Sequence, residues 1–209
     1  MNEKLKKGTT TVGIVCKDGI VLAADKRATA GFVVNKRAQK IFQIADSMAI
    51  TMAGLVSDAQ LLTKLIKAEL KLKDIQTNRK STVKEAANLL GGMLYSNIRR
   101  PSMIQSIVGF LLAGHDQHGL FLYDLGIDGS ITDVVDYVSD GSGSVFALGV
   151  LEANFKKNMS VNDGVKLAIK AISAALQRDT ATGNGIDVWT ITKDGVKPVF
   201  HKEIEIKVD

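Results

Sequence analysis

The segment Gly8-Thr9-Thr10-Thr11 offers a nucleophile, because a threonine hydroxyl can attack a carbonyl carbon once a base removes its proton. A threonine inside a chain carries no such base, but cleavage before Thr9 would free an α-amino group on the same residue. The reference pKa of an α-amine is about 7.7–8.0, so part of it is neutral near physiological pH. The same small β-branched residues are also typical of an ordinary strand. The rest of the chain has to decide between these interpretations.

Acyl transfer by a threonine also requires a hydrogen-bond donor for the oxyanion and a positive charge near the hydroxyl. Gly54, at the end of a predicted strand and before a helix, could present its backbone N–H at close range. Asp25 and Lys40 lie at comparable points of neighbouring strand segments and could pair beside Thr9. The ordinary alternatives are a turn glycine and an exposed ion pair.

Polar residues in two later turns complete the candidates. Ser142 lies in the turn Gly141-Ser-Gly-Ser144 and could be only a helix cap. Asp179, Thr180 and Thr182 follow a predicted helix, where polar residues commonly cap and turn. The spacing of the three histidines suits no zinc site, and we interpret all three as surface residues: His115, His118 and His201.

Composition favours one compact domain in a reducing compartment. The 209 residues are 45% hydrophobic, and only two prolines are available to mark a domain boundary. The net charge of +5 arises from basic residues spread among acidic ones, which indicates a solvated surface rather than a nucleic-acid site. A single cysteine, Cys16, excludes an intramolecular disulfide and is expected to be buried in a strand. No secretory or membrane-spanning apolar run is present, so we expect a cytoplasmic protein.

Turn residues and periodicity predict the elements that would position these side chains. Asp18-Gly19 predicts a tight hairpin that brings Asp25 back towards Thr9. A second strand pair is predicted for residues 32–34 and 41–44, around a basic turn. The other predicted strands lie at residues 48–53, 106–113, 120–123, 130–138, 187–192 and 196–200.

Two helix pairs alternate with these strands. In the first pair, one helix begins near Asp58 and the other at Thr82, where Glu85 three residues later predicts a capping box. The second pair follows Ser144 and Ser160. The order predicts an α+β fold, a four-layer αββα sandwich of two antiparallel sheets flanked by helix pairs.

Six ordered motifs together resemble the β subunits of the proteasome core particle, of the archaeal type, in the N-terminal nucleophile hydrolase family. They cover essentially the whole chain: Gly8-Thr-Thr-Thr-Val-Gly13, Ala24-Asp-Lys-Arg-Ala-Thr29, Lys40-Ile-Phe42, Ala53-Gly-Leu-Val-Ser-Asp-Ala-Gln60, Gly141-Ser-Gly-Ser144 with Gly149-Val-Leu-Glu152, and Arg178-Asp179 before Gly183.

The resemblance implies a role for each candidate. Residues 1–8 would be a propeptide removed by autolysis, with small Gly8 at the cleavage site, and residues 9–209 would be a single catalytic domain. Thr9 would be both nucleophile and base, oriented by Asp25 and Lys40, with Gly54 as the oxyanion donor. The resemblance also implies a polar network around the amine: Ser142, Asp179 and Thr182. The family usually has serine at the last of these positions, so Thr182 is a departure.

The same resemblance implies an apolar substrate pocket and therefore cleavage after hydrophobic residues. Its lining would comprise Ala28, Ala38, Met52 and Val56. The backbone of Thr29 would pair with an extended peptide, so that recognition would be largely strand addition. The implied activity is that of a threonine endopeptidase that degrades unfolded proteins and needs no cofactor or metal.

The implied partners are proteasome α subunits and other β subunits in stacked heptameric rings, an unfolding ATPase outside the particle, and unfolded polypeptides. Nucleic acid and membranes are not expected partners. The main alternative is a structural β subunit that stays unprocessed and silent. A related bacterial peptidase that pairs with an ATPase ring fits less well, because it lacks the Gly141-Ser-Gly-Ser144 pattern. A proteasome α subunit would carry an N-terminal helix where this chain has Thr9.

Overall fold

The computed structural model describes residues 8–204, and residues 1–7 of the predicted propeptide lie outside the described residues. Within this range the chain forms two five-stranded sheets, a two-stranded ribbon and two helix pairs. In chain order the elements are β1 (Thr11–Cys16), β2 (Gly19–Asp25), β3 (Ala28–Thr29), β4 (Val33–Asn35), β5 (Ile41–Ala45), β6 (Met48–Gly54), α1 (Val56–Thr77), α2 (Val83–Ile98), β7 (Val108–Asp116), β8 (Gly119–Leu125), β9 (Ile131–Val134), β10 (Tyr137–Asp140), α3 (Ser144–Asn154), α4 (Val161–Arg178), β11 (Gly185–Thr192) and β12 (Gly195–Glu203).

Both large sheets are antiparallel. The first has the strand order β10-β1-β2-β11-β12, and the second has the order β5-β6-β7-β8-β9. Helices α3 and α4 pack on the outer face of the first sheet around residues such as Ile14 and Ile172. Helices α1 and α2 pack on the second sheet around residues such as Ile66 and Phe110.

A third apolar cluster lies between the two sheets, where Leu22 of β2 meets Leu111 of β7 and Leu122 of β8. Apolar side chains on both faces of each sheet therefore produce four layers, helices, sheet, sheet and helices. The predicted αββα sandwich is confirmed.

The β1–β2 hairpin forms as predicted around Asp18 and Gly19. Its register places Cys16 opposite Gly19 and Thr11 opposite Ala24. The hairpin therefore brings Asp25, at the end of β2, beside the residue that precedes β1. Cys16 is buried, as predicted.

The predicted pairing of residues 32–34 with 41–44 is wrong. Strand β4 pairs with β3 across a turn at Gly31, whose φ of 81° suits glycine. Strand β5 pairs with β6 instead. The chain leaves the ribbon after Asn35, and the side chains of Ala38 and Lys40 are buried before β5 begins.

The single strand predicted over residues 130–138 is also wrong, because two short strands occupy it. Strand β9 is an edge of the second sheet, whereas β10 is an edge of the first. The segment thus crosses from one sheet to the other, and its side chains are exposed or half-buried rather than buried.

The helices begin close to the predicted positions. The capping box at the start of α2 is present: the Glu85 N–H donates to the Thr82 hydroxyl, and the Thr82 N–H donates to the Glu85 carboxylate. Helix α1 begins at Val56, two residues before the predicted Asp58. None of the helices formed by residues 8–204 combines the length and apolar character needed to span a membrane.

Candidate active site

Asp25 is a buried carboxylate at the centre of the site's hydrogen bonds. Its side chain has no exposed surface, and each of its two oxygens accepts two hydrogen bonds. Oδ1 accepts from the Thr10 N–H at 3.0 Å and from Lys40 Nζ at 2.6 Å. Oδ2 accepts from the Arg27 N–H at 3.0 Å and from the Gly183 N–H at 2.9 Å. Four donors satisfy both oxygens of the buried carboxylate and fix its orientation.

Lys40 links Asp25 to the threonine. Its side chain is 2% exposed, and Nζ lies 2.6 Å from Asp25 Oδ1 and 3.0 Å from Thr9 Oγ1. Burial lowers the pKa of Lys40 below its ordinary value, and the attraction to Asp25 opposes this effect only in part. Lys40 can therefore hold a positive charge against Thr9 and still release a proton more easily than a solvated lysine.

The Thr9 hydroxyl is held on two sides. It accepts from Lys40 and donates to the carbonyl oxygen of Gly8 at 2.7 Å. Gly8 itself has no room for a side chain, since a Cβ there would lie 1.7 Å from Ala181 Cβ. The Gly8 N–H donates to the Thr29 hydroxyl at 3.3 Å. The peptide bond before Thr9 is thus fixed beside the hydroxyl that would attack it.

Gly54 ends β6 at the rim of the same cleft. Its φ is 121°, and a Cβ would lie 2.2 Å from the carbonyl oxygen of Ile107. Backbone conformation and space both require glycine here. This agrees with a role in which the backbone approaches the substrate closely; that its N–H binds the oxyanion stays a prediction.

The polar residues of the two later turns meet at one carboxylate. Asp179 Oδ2 accepts from Ser142 Oγ and from Thr182 Oγ1, both at 2.5 Å. Ser142 does not cap α3, because Gly143 is at the N-cap and no side chain bonds there. The network reaches the segment before β1 through the hydroxyls of Thr182 and Thr10, which are 2.7 Å apart.

The structure places six of the seven residues predicted to be catalytic in two groups, and the seventh, Gly54, lines the same cleft as Thr9. Lys40 contacts Thr9 directly, and Asp25 contacts Lys40 and the Thr10 N–H. The Asp179 group contacts Thr10, and the Gly143 N–H donates to the Thr9 carbonyl oxygen at 3.5 Å. The role of each residue stays a prediction.

Thr9 and Lys40 open onto a cleft of about 410 Å³. Its lining includes the five residues predicted to bind substrate: Ala28, Thr29, Ala38, Met52 and Val56. Phe42 and Val34 add apolar surface, and Gln60 and Asn35 add amide groups at the edge. The cleft therefore combines an apolar lining with a few polar groups beside the nucleophile, as a binding site for a ligand commonly does.

Comparison with known proteins identifies the family. The family model for "Proteasome subunit" matches residues 5–191 of the sequence. The chain belongs to the proteasome subunit family.

Relatives place it among the β subunits. It is 47% identical to the proteasome subunit beta of Archaeoglobus profundus over 206 residues, which cover 98% of this chain and 94% of the relative. It is 46% identical to that of Methanococcus aeolicus over 95% of this chain and 91% of the relative. The match to the Methanosarcina barkeri protein is 42%, over 98% and 95%. This β subunit is therefore of the archaeal type, as the motifs indicated, and is a component of a multisubunit particle.

Three residues that support the site of this β subunit were missed by the sequence analysis. Arg27 holds the turn after α4, because its guanidinium donates to Asn184 Oδ1 and to the carbonyl oxygen of Thr180. Gly183 donates to Asp25, and a Cβ there would lie 2.2 Å from the Arg27 guanidinium carbon.

Gly141 is the third. Its φ is 99°, and a Cβ would lie 2.0 Å from the carbonyl oxygen of Thr9. Arg27, Gly141 and Gly183 lie within the quoted motifs or at their edges. No spacing in the sequence predicts that the backbone of Gly141 approaches that of Thr9.

The histidines lie outside the site. His118 and His201 are exposed and His115 is half-buried, at the end of β7 far along the chain from the site motifs. Among residues 8–204, no group of three or more metal-ligating side chains lies close enough together to hold a metal ion.

Proposed function

We propose that this β subunit is a threonine endopeptidase that creates its own catalyst by cleaving the bond between Gly8 and Thr9. One observation carries the proposal: the Thr9 hydroxyl lies between Lys40 Nζ and the carbonyl group of the bond to be cleaved. A nucleophile, a charged partner and a target carbonyl in one buried cluster are the parts that acyl transfer needs.

In the first step Thr9 Oγ1 would attack the Gly8 carbonyl carbon. The α-nitrogen of Thr9 is still an amide at this stage and is not basic, so another group must take the hydroxyl proton. Lys40 lies within hydrogen-bonding distance, and its lowered pKa makes its neutral form more accessible. Collapse of the tetrahedral adduct breaks the C–N bond and moves the proton to nitrogen. The Thr9 amine is free from this point, and residues 1–8 remain as an ester on Oγ1. Water then hydrolyses that ester, which releases residues 1–8 and restores the Thr9 hydroxyl.

In the second reaction the same hydroxyl would attack a substrate peptide. The freed amine accepts the hydroxyl proton and delivers it to the leaving nitrogen. The developing oxyanion is stabilised by the Gly54 N–H, and the Lys40 ammonium, held by Asp25, stabilises the charge on Oγ1. Water hydrolyses the acyl ester and regenerates Thr9.

The cleft supports a preference for cleavage after apolar residues. Ala38 and Met52 are buried and present no group that could pair with a charged side chain. The two-stranded ribbon places Thr29 beside the cleft, where an extended peptide can add as a strand. Selection would therefore be by exclusion of charge more than by recognition of sequence.

The arrangement of this β subunit within the proteasome particle is also part of the proposal. We infer heptameric rings of β subunits stacked between rings of α subunits in the cytoplasm, with an unfolding ATPase delivering unfolded polypeptides. Apolar side chains exposed on the single chain, such as Leu61, Ile75 and Val145, support burial against neighbours.

Thr9→Ala and Thr9→Ser test the nucleophile. Thr9→Ala should assemble with the α partner but retain residues 1–8 and lose peptidase activity to background, because no hydroxyl remains. Thr9→Ser keeps the hydroxyl and should retain measurable processing and activity. The assay is release of a fluorophore from a peptide with an apolar residue before the scissile bond. A processed, active Thr9→Ala particle would contradict the proposal, and an unprocessed, inactive wild type would favour the silent structural β subunit.

A further inference from the structure

A second buried ion pair lies next to the site and takes no part in the reaction just described. Lys26 Nζ is 2.9 Å from Asp187 Oδ2, and the two side chains are 7% and 12% exposed. Lys26 directly follows Asp25 in the chain. Asp187 lies on β11, opposite Ala24 of β2. The pair therefore ties the end of β2 to the neighbouring strand, one residue from the carboxylate that holds Lys40.

The backbone of Lys26 joins the two sides of the site. Its N–H donates to the Gly183 carbonyl oxygen at 3.1 Å, and Gly183 in turn donates to Asp25. Its carbonyl oxygen accepts from the Ala38 N–H at 2.9 Å, and Ala38 lines the cleft. A displacement of Lys26 would therefore move both a support of Asp25 and a wall of the substrate cleft.

The side chain of Lys26 is packed so that it can anchor this backbone. A Cβ on Gly185 would lie 2.8 Å from Lys26 Cδ, so the aliphatic stem of Lys26 passes over a residue with no side chain. The ammonium then reaches Asp187, where the ion pair fixes its position. Packing holds the aliphatic part of the Lys26 side chain and the ion pair holds its ammonium group, so the side chain has little conformational freedom.

Further polar and charged side chains continue the pair towards the surface. Asp187 Oδ1 lies 2.6 Å from His201 Nδ1 on β12. His201 Nε2 lies 3.7 Å from Glu203 Oε1, and Glu203 Oε2 lies 2.8 Å from Arg37 Nε. Arg37 immediately precedes Ala38, so this series of side chains ends one residue from the cleft wall.

We propose that Lys26 and Asp187 are positioning residues that hold Asp25 and Ala38 in register for acyl transfer. Neither side chain lines the cleft with Thr9, so they act through the backbone of residues 25–27 and 38. The inference rests on the proposed threonine peptidase activity. Stability alone does not require an ion pair here, because a well-packed apolar pair can replace a buried ion pair without loss.

The experiment compares single and double variants in particles assembled with the α partner. Asp187→Asn leaves the buried Lys26 ammonium without its carboxylate, and Lys26→Met leaves Asp187 with His201 as its remaining side-chain partner, so both lower the melting temperature. We expect kcat to fall about tenfold or more and removal of residues 1–8 to slow, because small misplacements of reacting groups are costly. Lys26→Met/Asp187→Leu removes both charges and should recover the melting temperature but not kcat.

A matched control is the exposed pair Lys80 and Asp46. Its N–O distance is 3.0 Å, but its side chains are 81% and 89% exposed and it lies away from the cleft. Lys80→Met and Asp46→Asn should leave kcat within about twofold of the wild type.

Two outcomes overturn the inference: wild-type kcat in the folded single variants, or recovery of kcat together with stability in the double variant. Failure of the underlying function has a different signature. In that case the wild-type particle itself would show no activity that depends on Thr9, and the variants would have no rate to compare.

Discussion

At the scale of single residues, the site depends on buried polar groups whose partners come from distant parts of the chain. Asp25 accepts from Lys40 and from the backbone N–H groups of Thr10 and Gly183. Asp179 accepts from Ser142 and Thr182. Removing one donor leaves a buried carboxylate oxygen with an unsatisfied hydrogen-bonding position. The desolvation cost of that oxygen is then larger than the net contribution of the hydrogen bond itself.

Thr182 gives a direct test of this argument. Thr182→Ser keeps the hydroxyl that joins Asp179 to Thr10, so kcat/KM should stay within about twofold of the wild type. Thr182→Val keeps the shape but leaves Asp179 short of a donor, at a cost of about 1–3 kcal/mol, and kcat/KM should fall about tenfold. Peptide hydrolysis by assembled particles measures both. Equal activity of the valine and serine variants would show that the hydroxyl does not contribute.

The sequence could indicate the candidate residues only where they lie within a motif that resembles the family's. Thr9, Asp25, Lys40 and Gly54 lie in the quoted motifs; in the structure three of them line one cleft, and Asp25 is buried behind Lys40. The support from Gly183 could not be foreseen, because it depends on a backbone N–H that any residue possesses. Its need for glycine arises from Arg27, which is 156 positions earlier in the chain, and no local pattern records that contact.

At the scale of elements, local signals predicted those parts of the fold whose cause is local. The Asp18-Gly19 turn and the Thr82 capping box both form as predicted. The pairing of β3 with β4 was missed because the ribbon is short and exposed, so no alternation of apolar residues marks its register. The division of residues 130–138 into β9 and β10 was missed because the change of sheet depends on tertiary packing.

The capping box also predicts a pH dependence at the start of α2. Arg79 and Lys73 hold the pKa of Glu85 well below its usual range. A carboxylate with a lowered folded pKa stabilises the fold above its unfolded pKa of about 4.3, and this contribution is lost as the pH falls below that value. Glu85→Gln should therefore lower the melting temperature at pH 7, and the difference from wild type should shrink as the solution is acidified below pH 4.3.

Melting curves between pH 7 and pH 3.5 measure this difference. Glu69→Gln on the exposed side of α1 is a matched control, because it removes the same charge without breaking a capping box. A difference for Glu85→Gln that stays constant over the whole range would contradict the account.

At the scale of the whole molecule, the layers explain both the buried site and the exposed apolar surface. The two sheets enclose the Leu22 and Leu111 cluster and bring the ends of β1, β2 and β6 to one edge, where Thr9, Asp25 and Gly54 meet. The outer helices are only partly covered: Leu61 and Leu65 of α1 are exposed. Such surface is typical of a subunit that packs against other subunits, in agreement with its place in a proteasome particle.

The central claim is that this chain makes its own nucleophile, and the intact mass of the subunit taken from particles assembled with its α partner tests it most directly. We expect the mass of residues 9–209, because the Thr9 hydroxyl is placed against the Gly8 carbonyl group and the freed amine is required for peptide hydrolysis. A mature particle whose β subunit still carries residues 1–8 would contradict the account.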